Sequence, residues 1–103
     1  MTENEFSELA DAVFVRIEHA LDASDAKIDY DNNGSVLEME FADGSKVIIN
    51  QHLPNQEIWV AAKSGGFHYK YQDGKWFSGR DDSELFSRLS ELVQFGSGEK
   101  LDF

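Results

Sequence analysis

Four dipeptides, Asn33-Gly34, Asp43-Gly44, Gly65-Gly66 and Asp73-Gly74, separate runs in which apolar and polar residues alternate. Such pairs between alternating runs signal hairpins, because tight two-residue turns need positive φ at their centre. Ile28 and Tyr30 alternate with Asp29 and Asp31, and Leu37, Met39 and Phe41 with Glu38 and Glu40; Val47 and Ile49 follow. Further on, Ile58, Val60 and Ala62 oppose Glu57, Trp59 and Ala61, and Phe67, Tyr69 and Tyr71 oppose His68 and Lys70. Side chains alternate across a strand, so each run offers one apolar face. Hairpin after hairpin predicts an antiparallel meander of about six strands. Pro54 falls in the one longer connection, where no ladder hydrogen bond is needed.

A different period governs both ends. Phe6, Leu9, Ala10, Val13, Phe14, Ile17 and Leu21 recur at steps of three and four, and no Gly or Pro interrupts residues 3–22. A second stripe, Leu85, Phe86, Leu89, Leu92 and Val93, follows Asp81-Asp82-Ser83-Glu84, with Asp81 expected to cap the helix and Gly96 to end it. Leu101 and Phe103 are expected to return over the helices. Two amphipathic helices need one apolar surface, and the meander supplies it on a single face. The expected fold is α+β: a two-layer sandwich with the N- and C-terminal helices on one face of an antiparallel sheet of about six strands, as one domain over residues 1–103.

Charge narrows the function. The 103 residues carry a net −11, and residues 1–43 hold twelve acidic side chains against two basic ones, Arg16 and Lys27. Nucleic acid needs a basic surface, so this field argues against it and favours cations or a basic protein partner. No apolar run approaches the roughly 20 residues of a membrane span. Met1–Glu5 lacks the basic and apolar regions of a targeting peptide, so the chain is expected to be cytoplasmic. Without cysteine there is no disulfide or thiolate chemistry.

Catalysis finds little support. There is no glycine-rich phosphate loop and no metalloprotease-type histidine pair, and His19, His52 and His68 read as surface or hydrogen-bonded histidines. The chain is expected not to be an enzyme. A weak metal site is better founded. Glu18 and Asp22 lie one turn apart at the end of the first helix, where the macrodipole disfavours negative charge. With Asp29 and Asp31 of the adjoining strand they are expected to line one edge. Carboxylates are hard ligands suited to Fe²⁺, Fe³⁺, Mn²⁺ or Ca²⁺, so composition points to a shallow, multi-ion site without naming the metal. Trp59 is the other candidate. It shares the polar face with Glu57, His68 and Lys70, either as a ring lying flat over its neighbours or as a recognition anchor.

The run Asn50, Pro54, Ile58-Trp59-Val60-Ala61 and Gly65-Gly66-Phe67-His68-Tyr69 resembles the signature of the frataxin family, in its bacterial branch. The resemblance covers nearly the whole chain. It departs at Gln51, where Arg is usual, at His52, where Gln is usual, and at Ala62, where a hydroxyl residue is common. The resemblance implies the same sandwich, iron as the metal, and docking on the cysteine desulfurase and scaffold protein of iron–sulfur cluster assembly. It places Glu18, Asp22, Asp25, Asp29 and Asp31 at the iron-binding edge. It assigns Glu18, Asp22, Gln51, Trp59 and His68 to partner contact. The protein would be a monomer, with oligomerisation on iron and ferroxidase-type activity left open. Two functions follow: iron delivery, or a purely regulatory acidic interaction module whose iron binding is incidental.

Overall fold

The computed structural model describes residues 1–103. Helix α1 (Glu3–Asp22) is followed by strands β1 (Asp29–Asn32), β2 (Val36–Glu40), β3 (Lys46–His52), β4 (Glu57–Ala62), β5 (Gly65–Gln72) and β6 (Lys75–Ser78), then helix α2 (Leu85–Ser97). The strands pair antiparallel in chain order, giving the six-stranded meander that the alternation predicts. Pro54 sits in a single 3-10 turn, Leu53–Asn55, between β3 and β4.

Helix α1 begins at a capping box. Thr2 Oγ1 accepts from the Glu5 N–H at 3.1 Å, while the Thr2 N–H donates to Glu5 Oε1 at 3.0 Å, so two otherwise unpaired donors are satisfied. Its stripe of Phe6, Ala10, Val13, Phe14, Ile17 and Leu21 is buried. These side chains meet the inward set of the sheet, including Leu37, Met39, Ile49, Ile58, Val60 and Tyr69, and the α2 stripe of Leu85, Leu89, Leu92 and Val93, in one apolar core. Phe6 and Tyr71 both meet Trp76 edge-on, with ring centres 6.0 and 5.3 Å apart. The tail returns as expected. Leu101 is buried, and the Phe103 carbonyl accepts from Arg16 Nη2 at 2.8 Å. The Arg16 guanidinium also lies 3.8 Å from the centre of the Phe86 ring.

The turns and the α2 caps depart from expectation. Only Asp73-Gly74 forms the two-residue turn the dipeptides signal, with φ of 52° and 83° between the paired Gln72 and Lys75. Gly65-Gly66 belongs to β5. The last pair of that hairpin is Ala62 with Gly65, so Lys63 and Ser64 make the turn. At the first hairpin the Asn33 N–H donates to the Val36 carbonyl at 3.1 Å, which puts Gly34 and Ser35 at the centre. At the second the Phe41 N–H donates to the Ser45 carbonyl, so Ala42, Asp43 and Gly44 form a three-residue loop. In each case cross-strand hydrogen bonding, not the dipeptide, selects the central residues.

Helix α2 is capped by Glu84, whose carboxylate accepts from the N–H groups of Phe86 and Ser87 at 2.8 and 3.2 Å. Asp81 instead accepts from the Ser83 hydroxyl at 2.7 Å, the Ser83 N–H at 3.0 Å and Arg88 Nη2 at 2.7 Å. These partners, the Ser83 hydroxyl foremost, hold its carboxyl down at about 2. Gly96 does not stop the helix. Left-handed Gly98 does, one residue past Ser97.

Candidate functional site

Two surfaces carry the residues singled out from the sequence. At the first, α1 ends against the edge strand β1. Asn32 Nδ2 donates to Glu18 Oε1 at 2.8 Å, and the Tyr30 hydroxyl donates to Asp22 Oδ1 at 2.7 Å. That bond to a carboxylate raises the Tyr30 phenol above its usual range. Tyr30 and Asn32 thus reach toward the helix, which turns the alternate residues Asp29 and Asp31 to the other side of the sheet. There Asp29 is paired in register with Glu40, and Asp31 with Glu38. Like charges directly opposite are destabilising. Lys46, 2.8 Å from Glu38, offsets part of this repulsion. Asp25 stands exposed in the loop between α1 and β1 with no hydrogen-bond partner for its carboxylate.

The acids therefore gather at one edge but on two faces of it. Glu18 and Asp22 lie on the helix side, Asp29 and Asp31 on the open side. Nowhere do three or more His, Cys, Asp or Glu side chains converge as a set that could hold one ion. Such donors suit hydrated, loosely held cations rather than a caged one. Concentrated negative charge is expected to lower stability through self-repulsion. Raising NaCl from low salt to about 0.5 M is expected to lift the thermal midpoint on the order of 5 °C, with Mg²⁺ acting more steeply per mole. Scanning calorimetry checks this; a flat response to both salts would mean that local partners already compensate the acids.

The second surface is the face of the sheet that neither helix covers. Trp59 lies in the middle of it, between two imidazoles. The His52 ring stacks on one side with centres 3.8 Å apart and planes within 6°, and His68 on the other at 4.2 Å and 5°. The indole Nε1 donates to Glu57 Oε1 at 2.9 Å, and Asn55 Nδ2 donates to the same oxygen at 3.4 Å. Glu57 is only 9% exposed although it lies on the outward side. Lys70, opposite Glu57 in the register, brings its ammonium to 4.0 Å. The ring is thus held on both faces and at its nitrogen. It does lie flat against neighbours, and it also presents an edge to solvent in a fixed orientation.

Gln51 is not part of this surface. Its amide Nε2 donates to Asp11 Oδ1 of α1 at 3.0 Å, on the helix side of the sheet. His52 takes a place there instead, stacked on Trp59, where the sequence alone predicts no more than a surface or hydrogen-bonded histidine. The inward positions of Val47 and Ile49 already imply that Gln51 points inward and His52 outward. What alternation does not reveal is the register that lays His52 diagonally beside Trp59: His52 pairs with Glu57, and Trp59 with His68.

Comparison with known proteins shows the family and the fold. Residues 1–98 match the family described as the frataxin-like domain. The chain is 42% identical over 102 residues to the iron–sulfur cluster assembly protein CyaY of Paraburkholderia phymatum, covering 99% of this chain and 97% of that one. It is 43% identical over 107 residues to the protein of the same name from Shewanella baltica, with 100% and 98% covered. Among solved structures, frataxin from Psychromonas ingrahamii matches with a TM-score of 0.95 at 39% identity, over 99% of this chain and 97% of that one. Trimeric frataxin from the yeast Saccharomyces cerevisiae, complexed with ferrous iron, shares the fold at a TM-score of 0.70 and 24% identity, over 96% and 88%.

Proposed function

Because this chain belongs to the frataxin-like family, we propose that it serves iron–sulfur cluster assembly, the role for which its relatives of 42% and 43% identity are named. It does so by docking on the cysteine desulfurase and scaffold of that machinery. The observation that carries this reading is a division of labour across the surface. A region of net −10 lies in residues 1–43, and a clamped tryptophan lies on an uncovered sheet face. Summed charge steers a basic partner from a distance, whereas a rigid aromatic ring acts only after contact. Iron enters as cargo, held by Glu18, Asp22, Asp25, Asp29 and Asp31 through exposed oxygens at about micromolar Kd or weaker. Among them, Glu18 and Asp22 must give up Asn32 and Tyr30 to bind a metal in full.

That engagement favours a second reading. If the carboxylates serve mainly to meet Lys and Arg of the partner, the chain regulates sulfur transfer and its iron binding is incidental. Cluster assembly with purified desulfurase and scaffold, in limiting and in excess Fe²⁺, separates the two. An effect confined to limiting iron is expected of delivery, and one that persists in excess iron of regulation. Under either reading, replacing Glu18 and Asp22 together by Lys is expected to slow association about tenfold at low salt and flatten its salt dependence. Stopped-flow kinetics at two ionic strengths checks this. An unchanged association rate would remove the acidic edge from the docking surface.

A further inference from the structure

The open sheet face is electrically divided. Its β1–β2 side carries Asp29, Asp31, Glu38 and Glu40, while its β5–β6 side carries Lys70 and, just beyond β6, Arg80. Between these cations runs a groove lined by Glu57, Gly66, His68, Lys70, Ser78, Gly79 and Arg80, without one apolar side chain. Two of its cations are available to a ligand. Arg80 makes no ion pair, and its only hydrogen bond is from its backbone N–H to Ser78 Oγ. Its neighbour Asp81 is bonded to Ser83 and Arg88 and forms no ion pair with it. Lys70 is 71% exposed and touches Glu57 only at the 4.0 Å limit of an ion pair. His68 joins the groove to the tryptophan, since its ring stacks on Trp59 and the residue also lines the groove.

We propose that this groove is a second recognition point on the docking face and takes a carboxylate side chain of a protein partner. The proposal rests on the reading of that face as a docking surface. A guanidinium offers two parallel N–H donors that match a carboxylate, and the Lys70 ammonium adds a point charge beside it. A protein carboxylate fits better than a free anion. The molecule carries −11 overall, so phosphate or a nucleotide is repelled at long range, whereas an acidic residue on a partner that is basic elsewhere is not. The partner is then read by polarity. Its basic patch meets the acidic edge, its acidic residue meets Arg80 and Lys70, and reversing the complex would set like charges against each other. Trp59 lies between the two points.

The test uses the intact chain and a blocked Gly-Asp-Gly peptide, followed through backbone amide signals in NMR at constant ionic strength. Shifts are expected at Gly66, His68, Lys70, Gly79 and Arg80, reversed in no case by the Gly-Asn-Gly analogue, which should bind at least about fivefold more weakly. Arg80→Ala should weaken the response by a similar factor without unfolding the domain, since its side chain is exposed and makes no hydrogen bond or ion pair. Arg80→Lys should recover only part of it, because the paired donors are lost. Equal shifts from the Asn peptide, or no shifts from either, overturn the proposal. Tighter binding of inorganic phosphate than of the Asp peptide overturns it in favour of a small-anion site. A response to the Asp peptide in a chain that fails to bind the desulfurase would sustain this site while refuting the proposed function. A lost response with desulfurase binding intact would refute the site alone.

Discussion

Replacing Trp59 by Ala is expected to shorten the lifetime of the docked complex by about 30-fold or more while leaving the domain folded. A central tryptophan at an interface typically contributes 2 kcal/mol or more, and each 1.4 kcal/mol is a factor of about ten. The change should fall on dissociation, since short-range packing does not affect the approach of the partner. The fold should survive because the ring lies outside the core. Ile58 and Val60, which anchor β4, point to the opposite side and are fully buried. Losing two stacked contacts should cost the free domain roughly 1–2 kcal/mol. Trp59→Phe is the informative companion. It keeps a ring between His52 and His68 but removes the donor to Glu57, whose carboxylate then depends on Asn55 and Lys70. Surface or stopped-flow kinetics, with circular dichroism as the control, decides the matter. Unfolding of Trp59→Ala would make the stack a structural clamp and end its reading as an anchor.

Gly96→Ala should destabilise the domain by about 2 kcal/mol, lowering the thermal midpoint by roughly 8–10 °C. Local rules predict the opposite, because Ala in a helix interior is favoured over Gly by about 1 kcal/mol. Tertiary packing reverses the sign. A Cβ on Gly96 would stand 2.4 Å from Cδ2 and Cε2 of the Phe41 ring and 3.0 Å from its Cγ. Phe41 is 4% exposed, and swinging it outward would return to water an aromatic side chain whose burial contributes about 2 kcal/mol. Phe41→Leu should relieve the clash, so the double variant should lose less stability than the two single changes combined. Chemical denaturation of the four proteins completes the cycle. A raised midpoint in Gly96→Ala would mean that the ring moves aside at little cost.

Gly96 also shows where reading along the chain stops being sufficient. A glycine near the end of an apolar stripe looks like a helix stop, and here it is the close approach of α2 to Phe41, with the stop two residues later at Gly98. Asp81 and Glu84 divide the same way. Asp81 suits an N-cap and Glu84 the position three residues on, yet Glu84 caps the helix and Asp81 is bonded to Ser83 and Arg88.

By itself the sequence determined which residues share a face. Periods of two and of 3.6 are properties of the backbone within one element, so the six strands, the two helices on one side and the outward position of Trp59 beside Glu57, His68 and Lys70 were all legible. Tertiary structure alone decided which faces meet and at what offset. Gln51 and His52 are neighbours in sequence, yet one bonds α1 and the other stacks on Trp59. Asp22 and Asp29 were expected along one edge, yet the plane of β1 divides them. The physical reason is that register across β3, β4 and β5 is set by how each turn closes and by side chains from distant segments packing together. No stretch of alternating residues contains that information.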